Sequence, residues 1–292
     1  MTTFPPAAAS SMLSYRHAFH AGNHADVLKH FMLLEVLRYY NRKDKPWWFI
    51  DTHAGAGCYA LESPRAGVTG EFAEGIGRLW QRDDVPGALR PYLDAVAQFN
   101  PHGGLTFYPG SPALAMTCLR EHDRMRLFEL HPADVVLLEK TFARDTDRVL
   151  IRKADGFNAL RGLLPPPTRR AVVLIDPSYE IKNDYKRVIE VLEDALRRFA
   201  GGTFLVWYPL LSRPEAQGLP ARLAALGAGS WLDARLVVRK PATDGFGMFG
   251  SGMFVINPPW VLPATLESVL PDLVALLGEP GEGAYDLEAV IE

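Results

Sequence analysis

Apolar positions recur along this chain with two periods, and the switches between them mark out its elements. Trp47 to Ile50, Arg126 to Leu130, Val149 to Arg152, Ala171 to Ile175, Thr203 to Tyr208, Trp231 to Arg239 and Met253 to Asn257 are short runs rich in β-branched, aromatic and aliphatic residues. Each predicts a strand. Val27, Phe31, Leu34 and Leu37 follow helical spacing instead. Asn23 precedes them as an N-cap, with Asp26 in the first turn, so a helix is predicted from about 24 to 40. Ser111-Pro112 and His131-Pro132 open further helices with proline in the first turn. Tyr185 to Phe199 and Thr265 to Leu277 complete the helical set. Strands alternating with helices, and a late strand pair, predict one doubly wound α/β sheet of seven mostly parallel strands.

The spacing breaks once. Trp47 to Ile50 runs into Asp51-Thr52-His53-Ala54-Gly55-Ala56-Gly57, small residues that let a ligand approach the backbone. In a Rossmann-type half an acid follows such a loop by about 20 residues. Here the next strand-end acid, Glu129, lies 72 residues after Gly57, so an insertion of roughly fifty residues is implied. Glu71 to Gln81 and Pro86 to Phe99 read as helices within it. The expected organisation is a tail at 1–22, a sheet domain at 23–60 and 108–292, and an inserted helical subdomain at 61–107. That subdomain stands either to grip a large substrate or to stabilise the fold.

Composition narrows the classes. The chain has 292 residues, 48% hydrophobic and 22% charged, as in ordinary globular proteins. It has no run of about 18 apolar residues, so no membrane-spanning helix is predicted. The Ala/Ser/Pro-rich start lacks the pattern of a signal peptide. Two cysteines, Cys58 and Cys118, suit a reducing cytoplasm rather than a disulfide scaffold. Net charge is -3, but the stretch from Val261 to Glu292 holds seven acids and no lysine or arginine. The rest carries 31 bases against 27 acids, a mildly basic body compatible with contact to RNA.

Candidate chemistry gathers at strand ends. Ala171 to Ile175 stops at Asp176-Pro177-Ser178-Tyr179, where proline ends the ladder and leaves a carboxylate, a carbonyl and an aromatic ring at the carboxyl end of a strand. Open α/β sheets bind ligands at that edge. An exocyclic amine of a base is a poor nucleophile because its lone pair is delocalised. Asp176 and the carbonyl of Pro177 can accept its two N–H groups, while Tyr179 can stack on a flipped-out base. The segment resembles the D-P-P-Y motif of adenine-N6 methyltransferases, with Ser178 in place of the second proline. Glu129 can accept from two ribose hydroxyls. Asp155-Gly156 can take a cofactor adenine, the acid binding its amine and the glycine admitting its ring. The Gly55/Gly57 loop looks like the first glycine-rich loop of S-adenosylmethionine enzymes, with His53 where a glycine is usual.

Four of the eight histidines lie between His17 and His30. His20, His24 and His30 invite a metal-site reading, yet no nearby carboxylate or cysteine completes a ligand set, so no metal is expected.

Taken together, S-Y-R-H-x-F-H-A-G-N-H-A-D-V-L-K-H, then D-T-H-A-G-A-G, Y-P-G-S-P, E-L-H-P, A-D-G-F, L-I-D-P-x-Y-E and I-N-P-P-W resemble the RlmJ family. That family methylates N6 of an adenine in 23S ribosomal RNA, adenine 2030 by its name. The resemblance implies a Rossmann-like class I methyltransferase using S-adenosylmethionine. It implies that His30, His53, Ser111, Glu129, Asp155 and Gly156 meet the cofactor, with Gly55 and Gly57 in the loop beneath it. Asp176 is then the catalytic acceptor, also beside the cofactor, with Pro177 and Tyr179. Tyr15, His17 and Lys29 sit at the entrance, the first two on a tail expected to close as a lid. The implied partner is 23S RNA free of the assembled ribosome, met by a monomer in the cytoplasm, away from membranes. Two rivals share the pattern: a DNA adenine-N6 methyltransferase, and a non-catalytic RNA-binding or assembly factor that keeps the fold.

Overall fold

A computed structural model describes residues 20–61 and 70–292. Tyr15 and His17, and with them the proposed lid, lie outside the described residues. The first element is α1 (His24–Tyr40), and its Asn23 cap forms as the sequence suggests, with Oδ1 accepting from Ala25 N and Asp26 N at 3.0 Å each.

The main sheet holds β1 (Trp48–Asp51), β4 (Arg124–Glu129), β5 (Val149–Lys153), β6 (Ala171–Ile175), β7 (Thr203–Leu210), β8 (Trp231–Val237), β9 (Gly250–Ile256) and β10 (Ala284–Val290). Their order is β10-β8-β9-β7-β6-β1-β4-β5. The five strands from β7 to β5 are parallel, and β9, β8 and β10 continue antiparallel, each to its neighbour. The arrangement is the expected Rossmann-like one, with one strand more than the seven read from the sequence. The eighth is β10, an edge strand exposed at nearly every position. Its mixed acids and apolar residues bury neither face, so no alternation announces it.

Side chains alternate across the sheet as a period of two requires. Phe49, Val172, Leu174 and Leu205 enter a core with α1 and α9 (Leu262–Leu277). Ile50, Val173, Ile175 and Val206 enter a second core with α5 (Gly156–Leu163) and α6 (Asp184–Arg198). The insertion is framed by a two-stranded sheet, β2 (Cys58–Ala60) against β3 (Phe107–Pro109). It is less helical than expected. Glu71–Glu74, Ile76–Arg78 and Gly87–Leu89 are 3-10 turns, and among the described residues of the insertion only α2 (Arg90–Ala97) is an α-helix. Gly75 and Gly77 interrupt the first stretch: a Cβ at Gly75 would lie 2.0 Å from the Gly22 carbonyl. Ile76, Leu79, Leu89, Tyr92 and Val96 join the first core. Beyond β3 come α3 (Ser111–Cys118) and α4 (Pro132–Thr141), with α7 (Pro214–Gln217) and α8 (Leu219–Ala224) following β7. Both cysteines are free, and no helix among the described residues is long and apolar enough to cross a membrane.

Candidate active site

The strand order turns at β1, with β4 and β5 on one side and β6 and β7 on the other. Ligands bind in the crevice outside such a turn, at the carboxyl edge. Four acids stand there. Asp51 closes β1 and Glu129 closes β4, while Asp155 and Asp176 follow β5 and β6. Asp51 is in register with Leu174, so Asp176 lies two residues beyond that level, just past the end of the adjacent strand.

Lys29 reaches this edge from the second turn of α1. Its Nζ donates to Asp176 Oδ2 at 2.6 Å and pairs with Asp26 Oδ1 at 2.7 Å. It also lies 5.7 Å from the centre of the Trp207 ring. Burial disfavours the ammonium, but Asp176 and Asp26 outweigh it and hold the lysine above its ordinary pKa. Burial likewise opposes the Asp26 carboxylate, yet Lys29 brings it down to about 2.

Asp51 is a site residue that the sequence reading passed over, although an acid closing an apolar strand was the signal used for Glu129 and Asp176. It is fully buried. Ser111 Oγ donates to it at 2.6 Å and His53 N at 3.1 Å. Burial pushes its carboxyl up to about 7 against those two bonds.

The loop after β1 turns through left-handed glycines, Gly55 at φ +58° and Gly57 at φ +81°. Gly55 N donates to Glu129 Oε2 at 2.8 Å, and His131 N donates to Oε1 at 2.7 Å. Both oxygens of the expected ribose acid thus hold backbone, though each keeps a second lone pair. Asp155 caps α5 through Asn158 N at 3.3 Å and forms an ion pair with Arg187. Arg187 in turn lies 4.6 Å over the Phe157 ring, and His53 meets that ring edge-on at 4.9 Å. Burial lowers His53 to about 4, so it is neutral at physiological pH. The close approach that requires glycine at 156 is to protein: a Cβ there would lie 2.1 Å from the Thr52 carbonyl oxygen.

Two expected contacts take other partners. Tyr179 has φ +54° and is 1% exposed. Its hydroxyl donates to the Trp207 carbonyl at 2.9 Å, and Tyr185 and Trp207 flank its ring at 4.6 and 6.0 Å. The ring therefore offers no face to a base in this conformation; Pro177 is buried beside it and Ser178 is exposed. His30 Nδ1 is 2.7 Å from Tyr108 Oη, which is 3.0 Å from Tyr92 Oη. That buried chain ties the helix of the insertion to α1, and burial lowers His30 to about 3.

Comparison with known proteins matches residues 44–291 to a family model described as Ribosomal RNA large subunit methyltransferase D, RlmJ. The chain belongs to the RlmJ family. It is 47% identical over 272 residues to the Ribosomal RNA large subunit methyltransferase J of Escherichia coli, covering 93% of this chain and 96% of that protein. The Haemophilus influenzae protein of the same name is 43% identical over 279 residues, covering 95% and 98%. A crystal structure of a Legionella pneumophila protein superposes with a TM-score of 0.86 at 34% identity, covering 94% of this chain and 99% of that one.

Proposed function

We propose that this crevice methylates N6 of an adenine in 23S ribosomal RNA, with S-adenosylmethionine as donor. The residues present fit that cofactor: Glu129 at the end of β4 has lone pairs left for ribose hydroxyls, and the left-handed Gly55 and Gly57 turn the loop after β1 at the same edge. When bound, the cofactor supplies an electrophilic methyl group on a good leaving group.

The protein's part is positioning and polarisation. Asp176 and the Pro177 carbonyl accept the two N–H groups of the target amine and return electron density to its nitrogen. Lys29 holds the Asp176 carboxylate from Oδ2, and the proton that leaves nitrogen passes to Asp176 or to water. Asp51 fixes Ser111 and the His53 backbone, and the tyrosine chain fixes His30. The observation that carries this reading is a lysine-anchored Asp-Pro at the carboxyl end of β6, beside the turn in strand order. The enzyme acts as a cytoplasmic monomer on RNA not yet assembled into ribosomes. The test is incorporation of labelled methyl from S-adenosylmethionine into protein-free 23S RNA, assembled large subunits and duplex DNA. Label in the free RNA is expected, and label in DNA alone would overturn the reading.

A further inference from the structure

The loop between β8 and β9 opens on the same edge as Asp176. β8 is antiparallel to β9, which is antiparallel to β7, so β8 runs in the direction of β6 and β7. Leu210 at the end of β7 and Val237 at the end of β8 both pair with Gly250. Between these ends, residues 241–247 are exposed without a break.

At the tip stands Phe246, 81% exposed and the most exposed large apolar side chain among the described residues. Gly245 at φ +75° and Gly247 at φ +87° flank it, and Asp244 Oδ1 accepts its N–H at 3.0 Å. Two left-handed glycines and a side-chain cap thus shape a turn that leaves most of the ring it carries exposed. In the loop that follows Asp176, Ile181 is 65% exposed.

Cations border the same rim. Lys182 pairs with Glu215 at 2.9 Å, Arg239 with Glu279 at 3.6 Å and Lys240 with Glu282 at 3.5 Å. Exposed pairs of this kind contribute little and exchange readily for phosphate. Arg213, next to the Ser212 that faces Gly245, has no ion pair among the described residues. A single ring on a glycine-hinged turn among Thr243, Asp244 and Lys240 is too small an apolar patch for a stable protein partner. It matches the platform on which unpaired bases stack.

We propose that residues 241–247 form an RNA-docking element. Phe246 stacks on an unpaired base flanking the target adenine, and Arg213 and Lys240 take backbone phosphates. The inference rests on the methyl-transfer reading above and extends it to how the strand is held.

The test compares wild type, Phe246→Ala, Phe246→Trp and Arg213→Ala on a 23S RNA transcript. Phe246→Ala is expected to raise KM for the transcript about tenfold, the effect of one lost base stack, and Phe246→Trp to restore it. Arg213→Ala is expected to reduce the slope of log affinity against log salt by about one, a slope Phe246→Ala leaves alone. Calorimetric affinity for S-adenosylhomocysteine stays at the wild-type value in all. Wild-type turnover with an unchanged KM in Phe246→Ala overturns this inference only. So does a Phe246→Ala effect confined to oligomeric state in sedimentation. A wild-type protein that leaves the transcript unmethylated overturns the functional reading and this inference together.

Discussion

Lys29 Nζ lies 2.6 Å from Asp176 Oδ2, so the first helix clamps the strand end that carries the acceptor. The two side chains are 11% and 16% exposed, and Asp26 completes the cluster at 2.7 Å. Removing the lysine takes from two largely buried carboxylates, Asp26 and Asp176, the cation they share.

Lys29→Met is therefore expected to lower unfolding free energy by about 3 kcal/mol, the usual result of breaking a buried pair from one side. Turnover should fall with it, because Asp176 loses its anchor. Denaturant unfolding beside a methyl-incorporation assay checks both. Wild-type stability would mean that water screens the cluster.

Tyr108→Phe removes the hydroxyl that joins His30 to Tyr92. Two buried polar atoms lose a partner, which costs about 1–3 kcal/mol. If the chain orients His30 toward the cofactor, the affinity for S-adenosylmethionine falls while the RNA affinity does not. Calorimetry with each ligand separates these effects.

Gly156→Ala probes a different constraint. The new methyl group would meet the Thr52 carbonyl oxygen at 2.1 Å, against backbone that cannot step aside. A loss of stability without added cofactor, on the order of 1–3 kcal/mol as for other overpacked sites, shows that the glycine serves packing of α5 on β1. Loss of cofactor affinity alone would return it to the ligand.

Most of the sheet was legible because its strands are apolar runs with clear ends. Ala171–Ile175 carries five buried residues and stops at Asp176-Pro177. The Asn23 cap was legible because capping is local. The Lys29–Asp176 pair spans 147 positions, and no periodicity reaches that far. Tyr179 misled for a related reason: its motif places a ring near the site, but only packing decides that Tyr185 and Trp207 cover it. Glu129 and Gly156 stand out by strand-end position, yet the contacts to Gly55 and Thr52 come from another strand's loop. β10 stayed hidden because an exposed edge strand needs no burial pattern.

Acidity separates Asp51 from the buried histidines. The Asp51 carboxyl titrates near 7 when folded and near 4 when unfolded. Between those values the folded chain holds a proton that the unfolded chain has released, so this group's contribution falls as pH rises from about 4 to about 7. His24, His30 and His53, lowered by burial to about 4, 3 and 4, act with the opposite sign. Their contribution is lost as pH falls below about 6.5. The stability of Asp51→Asn minus that of wild type cancels the histidines. It is expected to rise by a few kcal/mol, to order of magnitude, between about pH 4 and 7. A difference flat across that window would show that the carboxyl ionises normally.

The central claim is that Asp176 accepts the target amine of an adenine in 23S RNA. Its direct test is mass spectrometry of nucleosides from protein-free 23S transcript, after incubation with S-adenosylmethionine and either wild type or Asp176→Ala. Wild type is expected to yield N6-methyladenosine. Asp176→Ala should yield at least about a hundredfold less, the scale of one lost transition-state contact of about 3 kcal/mol, while still binding cofactor. Equal N6-methyladenosine from both proteins, or none from wild type, would contradict the account.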